Sequence, residues 1–383
     1  MVNMKIISIG LYKPLPIKSG VDSYISSLLN PLGKNHDVLH YYFCNLEDRK
    51  GYYPSEITFK SEYLESNGLK NLFKISKLLK RLRPEFLLDK RTLENIKADI
   101  VFCDTFTFHV AKEIAKKNKS PIILIKHNIE WKYIKDSGLS SYIFLKVYEN
   151  HIFKKVDAII TISMKDYEYI SKYTNRERIF YLPSNIDTLI FKPEGPSYPL
   201  GNEKLNLLFY GSLDRPMNIY ALKFIKYKLI PFLEKENLLS KIRINIFGSG
   251  IPPKVLKIEN DKNINYLGNV EDPGRYIRGA DLLIVPIKNS GGMKIRLMET
   301  LFCGKPIIAT PEASDGIPNN LKKFIYIEKD VDGFVKIIRQ FLEKKIINNE
   351  IDQNILDEYV SNNIVLYNTF KNYLENKSLK IAQ

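Results

Sequence analysis

The chain has 383 residues, with 58 Lys+Arg against 43 Asp+Glu for a formal charge of +15, and 44% hydrophobic and 26% charged residues. That mixture excludes a disordered or fibrous chain, and at about 150 residues per domain the length predicts two folded domains, or three. Three cysteines (Cys44, Cys103, Cys303) are too few and too scattered for a disulfide framework or a zinc cluster, and they suit a reducing cytoplasm.

The N-terminal MVNMKIISIG enters a strand at once and has no signal-peptide apolar run. No stretch of ~18 uncharged apolar residues exists to span a membrane. The first strand, Lys5–Gly10, is followed by a loop with Pro14, Pro16 and Gly20, then a helical pattern from Asp22 to about Leu32 and a strand at Val38–Phe43. Residues 68–83, GLKNLFKISKLLKRLR, hold six basic residues and no acid, with Leu69, Leu72, Phe73, Leu79 and Leu82 at helical spacing before Pro84. Two readings stand for it: a surface helix packed on its own domain, or a basic amphipathic face on anionic lipid head groups. Short apolar runs at Asp99–Cys103, Pro121–Ile125, Ala158–Ser163 and Ile179–Leu182 are of the kind buried on both faces of a parallel sheet. Strand–helix alternation of this sort predicts a doubly wound α/β domain.

After Pro183 the chain becomes irregular through Pro193, Gly195, Pro196, Pro199 and Gly201, which marks a linker. A second strand–helix series then runs through Leu205–Tyr210, Arg243–Phe247, Ile264–Leu267, Leu282–Val285, Pro306–Ala309 and Phe324–Ile327, and the last ~30 residues from Ile351 read as helix. The predicted organisation is a Rossmann-like domain over residues 1–190, a second over 191–355, and a C-terminal helix over 356–383. The expected fold class is α/β, two doubly wound parallel-sheet domains facing across a cleft, with ligands at the carboxyl ends of the strands.

Several of those strand ends carry polar or glycine-rich loops. Lys18-Ser19-Gly20 precedes a helix, and a glycine there lets backbone N–H groups approach an anion. Lys126-His127-Asn128 follows the strand Pro121–Ile125, whereas His36, His40, His109 and His151 lack any ligand spacing and read as structural. Gly211-Ser212, with Arg215 and Asn218 close behind, follows Leu205–Tyr210, and Gly248-Ser249-Gly250 follows Arg243–Phe247. The most informative segment is 286–310, PIKNSGGMKIRLMETLFCGKPIIAT. Its Ser290-Gly291-Gly292 turn opens a helix near Met293, whose first N–H groups and dipole favour a phosphate. Lys294 and Arg296 add positive charge there, and Glu299 lies seven residues after Gly292, about two turns along, able to accept hydrogen bonds from ribose hydroxyls.

That segment resembles the donor-binding motif of GT-B-fold glycosyltransferases, in particular the large retaining family four (glycosyl transferases group 1). Colinear matches support it: IKHNIEW, KKVDAIITIS, LPSNIDTLIFKP, LLFYGSLDRPMN, INIFGSG, INYLGNVED and ADLLIVPI, in order over roughly residues 4–315. The resemblance implies that the second domain holds a nucleotide-diphosphate sugar and the first holds the acceptor, with the terminal helix crossing back to the first domain. Glu299 would bind the ribose, and Gly291, Gly292 and Met293 would present N–H groups to the diphosphate. Gly20, Gly211, Ser212, Asn218, Gly248 and Arg296 would complete the nucleotide-sugar site. Lys294 or Arg215 would neutralise the leaving phosphate, and His127 would lie near the reacting sugar carbon. Two positions depart from the family pattern: Gly291 stands where the first glutamate of E-x7-E belongs, and Ala221 where a lysine follows Arg215 by six residues.

The expected activity is therefore a metal-independent, cofactor-free, retaining transfer from a nucleotide sugar to an acceptor hydroxyl. The expected setting is surface-polysaccharide or lipid-linked glycan synthesis, in the cytoplasm and peripheral to the inner face of the membrane. A nucleotide-sugar 2-epimerase of the same fold is one rival and needs no acceptor; a nucleic-acid-binding protein is the other. The charge surplus, +9 before residue 191 and +6 after it, forms no arm or tail that would favour nucleic acid.

Overall fold

The computed structural model describes residues 3–17, 19–44, 53–63, 93, 95–133, 139–201, 203–288, 293–344 and 351–382. The basic segment 68–83 and the glycine pair Gly291 and Gly292 lie outside the described residues.

The first parallel sheet contains β1 (Lys5–Tyr12), β2 (Asp37–Cys44), β3 (Lys60–Tyr63), β4 (Ile100–Cys103), β5 (Ile122–Lys126), β6 (Ala158–Thr161) and β7 (Ile179–Tyr181), in the order β3-β2-β1-β4-β5-β6-β7. The second contains β8 (Leu205–Tyr210), β9 (Ile242–Phe247), β10 (Ile264–Gly268), β11 (Leu282–Val285), β12 (Ile307–Ala309) and β13 (Ile325–Ile327), in the order β10-β9-β8-β11-β12-β13. Every pairing is parallel. Each sheet reverses its winding beside its own first strand, between β1 and β4 and between β8 and β11. A crevice at the carboxyl ends of the strands opens at each of those points. All twelve strands expected from the sequence are present. The structure adds β3, a four-residue edge strand whose polar sequence KSEY pairs with β2 on one side only.

The central strands β4, β5, β6 and β11 are short and apolar because both of their faces are covered. In the first sheet Ile6, Phe102, Ile123 and Ile160 face one core, and their neighbours Ile7, Val101, Leu124 and Ile159 face the other. The helices that flank the sheets also set where the strand-end loops point. They are α1 (Gly20–Gly33), α2 (Phe108–Asn118), α3 (Leu139–Lys155) and α4 (Met164–Ile170) in the first half. In the second they are α5 (Pro216–Phe224), α6 (Ile230–Lys235), α7 (Pro273–Gly279), α8 (Ile295–Phe302), α9 (Asn319–Lys322) and α10 (Val331–Leu342), with α11 (Gln353–Ala382) last.

Helix α11 follows the second sheet in sequence but docks on the first. Phe370 packs against Phe102 and Phe180 at ring separations of 6.2 and 5.1 Å. The Tyr359 hydroxyl donates to the Ser184 carbonyl at 2.8 Å, and that of Tyr373 to Asp157 O at 3.1 Å. Near its start Tyr359 also meets Phe302 of α8, so the helix touches both halves. Among the described residues no helix is long and apolar enough to cross a membrane.

Candidate functional site

The second-sheet side of the cleft is built from backbone. Gly211 follows β8 at φ +145°, and Gly248 follows β9 at φ +155°. A Cβ added to Gly248 would lie 1.8 Å from the Gly211 carbonyl oxygen, so only glycine lets these two turns touch. The turns are also tied together: Leu213 N–H donates to Ser249 O at 2.7 Å and Ser249 Oγ to Ser212 Oγ at 3.2 Å, while Gly248 N–H donates to Gly268 O, at the end of β10, at 2.8 Å.

Asn218 and Arg296 hold that backbone from behind. Asn218 Nδ2 donates to Ser212 O at 2.7 Å. Arg296 Nη2 donates to Asn218 Oδ1 at 3.0 Å, Nη1 donates to Tyr210 O, and the guanidinium lies 5.5 Å over the Phe209 ring. A Cβ on Gly211 would meet this guanidinium at 2.6 Å. The sequence placed both residues on the ligand. In the structure these polar groups are engaged by the turn, because Arg296 sits on the side of α8 that faces β8.

Glu299 lies three residues further along α8, only 7% exposed. The Tyr210 hydroxyl donates to Glu299 Oε2 at 2.8 Å, and burial followed by the nearby carboxylate raises the tyrosine's pKa well above its ordinary value. Tyr210 thereby aims the carboxylate that the sequence assigned to a ribose, a role that a tyrosine at the end of β8 does not announce by itself.

Met293 and Lys294 lead into α8, and both are buried. Burial, then the Arg296 guanidinium, lowers the Lys294 pKa from 10.5 to about 7, while Asp315 and Asp166 act in the opposite direction. Asp166 belongs to α4 of the first half, so this lysine feels charges from both halves. Arg215, just before α5, is exposed.

On the opposite wall, Gly20 is the first residue of α1, capped by Ser19, whose Oγ accepts from Asp22 N–H at 3.4 Å. A Cβ on Gly20 would stand 3.6 Å from Ile295 Cδ1, so the N-termini of α1 and α8 meet across the cleft. Two helix N-termini converging on one place, with Lys294 beside them, concentrate positive potential there. The Lys165–Asp315 ion pair, at 2.7 Å, also links the two halves.

One turn into α1, the Tyr24 ring stands edge-on to His127 at 5.3 Å, and its hydroxyl donates to Leu182 O at 2.8 Å. Burial first, and the Lys126 charge second, lower the His127 pKa to about 3. The imidazole is therefore neutral near pH 7, suited to hydrogen bonding with a hydroxyl and too weak a base for proton abstraction. Behind it the structure reveals a buried Lys126–Glu149 ion pair that sequence reading missed. The available signal was Glu149 itself, the single acid in the seventeen residues of α3.

Among the described residues no group of three or more His, Cys, Asp or Glu is arranged to hold a metal ion. The site presents two helix N-termini and a buried lysine as donors and a tyrosine-anchored carboxylate as acceptor along one cleft, a set suited to a phosphorylated, hydroxyl-bearing ligand.

Residues 204–344 match the family model Glycosyl transferases group 1. An uncharacterized glycosyltransferase of Methanosarcina mazei is 26% identical over 302 residues, covering 73% of this chain and 74% of that protein. An uncharacterized 44.6 kDa protein in the cps region of Klebsiella pneumoniae is 26% identical over 331 residues, covering 81% and 83%. The crystal structure of Anabaena Alr3699/HepE in complex with UDP and glucose superposes with a TM-score of 0.66 over 97% of this chain and 100% of that one, at 13% identity. The resemblance to GT-B-fold group 1 glycosyltransferases therefore holds in sequence and in fold.

Proposed function

We propose that this chain transfers a sugar from a nucleotide-diphosphate donor to an acceptor hydroxyl, with retention of anomeric configuration and without a metal or other cofactor. The observation that carries the reading is the convergence of the α1 and α8 N-termini on Lys294, with Glu299 held by Tyr210 one helix face away. The diphosphate lies across the two helix N-termini and the ribose hydroxyls bond to Glu299. The anomeric carbon faces the first half, where neutral His127 orients a sugar or acceptor hydroxyl. The acceptor oxygen forms its bond to the anomeric carbon on the face from which the diphosphate leaves, and a diphosphate oxygen takes the acceptor's proton.

Catalysis on this reading comes from positioning and from stabilising the leaving diphosphate with Lys294, exposed Arg215 and the helix N-termini. The HepE structure, described with UDP and glucose, supports a nucleotide-sugar donor. The relative in a cps region supports surface-polysaccharide synthesis. The basic sequence 68–83 supports work beside an anionic membrane holding a lipid-linked acceptor.

A panel of UDP-, GDP- and ADP-sugars scored by thermal shift, followed by calorimetry with the matching nucleoside diphosphate, tests this. Glu299→Ala should weaken that affinity by about tenfold, the worth of one charge-assisted hydrogen bond to a ribose. A panel in which no nucleotide raises the melting temperature, or an unaltered affinity in the variant, overturns the reading. Product analysis without acceptor separates it from epimerisation, which would convert the donor sugar unaided.

A further inference from the structure

We infer that Glu149, paired with Lys126, is the positioning residue for the His127–Trp131 loop, a role that rests on the reading of His127 as part of the reacting site. The two side chains are 0% and 1% exposed, and their ion pair is closed by Thr105, whose Oγ1 accepts from Lys126 Nζ at 2.6 Å and donates to Glu149 Oε1 at 3.3 Å. The same carboxylate accepts the backbone N–H of Glu130 at 3.3 Å through Oε1 and that of Trp131 at 3.2 Å through Oε2.

Those two N–H groups begin the 3₁₀ turn Glu130–Tyr133, where a helical start leaves its donors without partners of its own. Glu149, on α3, supplies the missing acceptor from outside. One carboxylate thus grips the chain at residue 126 and again at residues 130 and 131. The bridge between those anchors carries His127 and Asn128, and its far side is the cleft, where the His127 ring meets Tyr24 of α1.

An ion pair is an expensive way to fill this space. Removing both charges from water costs about as much as their attraction returns, and an apolar pair of similar size would hold the core as well. Core packing therefore does not account for Glu149. Its backbone bonds do, because a leucine of similar volume accepts no hydrogen bond. The charge of Lys126 has a second effect in the same direction. With burial, it keeps His127 neutral and thus able to accept a hydrogen bond from a hydroxyl.

Trp131 is the single tryptophan of the chain, so its fluorescence reports on this loop alone. The test compares wild type with Lys126→Met/Glu149→Leu, which removes charge and both acceptors together, and with Lys126→Met/Glu149→Gln, which keeps one acceptor oxygen where the carboxylate has two. The Met/Gln variant should retain the wild-type melting temperature to within a few degrees, because no buried charge is left without its partner; the Met/Leu variant should fold but melt lower, because two backbone N–H groups lose their acceptor. In the Met/Leu variant acrylamide quenching of Trp131 should rise severalfold. Turnover on the nucleotide sugar giving the largest thermal shift should fall about 100-fold, the effect of misplacing a positioned group. The Met/Gln variant should recover part of both.

Unchanged quenching in the folded Met/Leu variant overturns the inference. His127→Ala, assayed in parallel, separates the two ideas. If it keeps full turnover, the reading of His127 fails while the quenching result still decides what Glu149 does. If it loses turnover and the Met/Leu variant does not, the positioning role alone fails.

Discussion

Lys294 carries a charge that the cleft itself sets, and a change of pH should expose it. Its pKa is lowered from 10.5 to about 7, by burial first and the Arg296 guanidinium second, with Asp315 and Asp166 pulling back. That interval corresponds to on the order of 5 kcal/mol favouring the neutral amine. The unfolded chain binds more protons than the folded one between about pH 7 and 10.5. The lysine therefore destabilises the fold increasingly as pH falls through that window, and to its full extent below about 7. A diphosphate at the α8 N-terminus brings negative charge to Lys294 and raises its pKa again.

At pH 8 about nine-tenths of unliganded molecules hold Lys294 neutral, so nucleoside diphosphate binding should take up close to one proton. At pH 6 most molecules are already protonated and uptake from this residue should vanish. Affinity should weaken by up to about tenfold for each pH unit above 7, until the pH passes the lysine's pKa in the complex. Calorimetry at pH 8 in buffers of different ionisation enthalpy measures the uptake directly, since observed heat varies with buffer heat in proportion to protons moved. The phosphate's own second ionisation, near pH 6, is complete there and does not interfere. Lys294→Met should abolish the dependence on buffer and raise the melting temperature of the unliganded protein below pH 8. A wild-type heat that is the same in every buffer at pH 8 would refute the reasoning, as would an identical slope in the variant.

Other consequences are simpler. Gly248→Ala places a Cβ 1.8 Å from Gly211 O and should cost about 3 kcal/mol or more in thermal unfolding, with nucleotide affinity lost alongside; a wild-type melting temperature would contradict the close approach. Phe370→Ala should cost about 3–5 kcal/mol in urea unfolding, because its ring fills the gap between α11 and the first sheet, and a loss below ~1 kcal/mol would mean the helix is not docked there. Lys165→Ala breaks the ion pair to Asp315 between the halves, yet with side chains 64% and 33% exposed it should shift stability by less than about 1 kcal/mol. A larger loss would make that pair a true latch.

The strands were legible because a segment buried on both faces has few residue types to choose from. DIVFC, PIILI and AIITIS appear within two residues of where they were expected at each end. The edge strand KSEY was not legible, since a strand paired on one side and polar in sequence has neither apolar run nor clean alternation. Lys294 and Glu299 were legible as candidates because both belong to one helix start, whose geometry follows from local spacing. Arg296, on the same helix, also holds Tyr210 O and Asn218 Oδ1, contacts that local spacing does not announce. Which way it turns depends on how α8 lies against β8, 86 residues away in sequence.

Period, composition and turn chemistry act over a few residues, so the sequence by itself determined two doubly wound α/β units and the helix start that faces their cleft. Tertiary structure alone decided the electrostatics. Lys126 meets Glu149 across 23 residues, Tyr210 meets Glu299 across 89, and Lys294 feels Asp166 only because the two halves close on each other. Charge and hydrogen bonding act through space and grow as water leaves, so the same lysine that counts as one unit in a +15 total becomes, once buried, a group that titrates near pH 7.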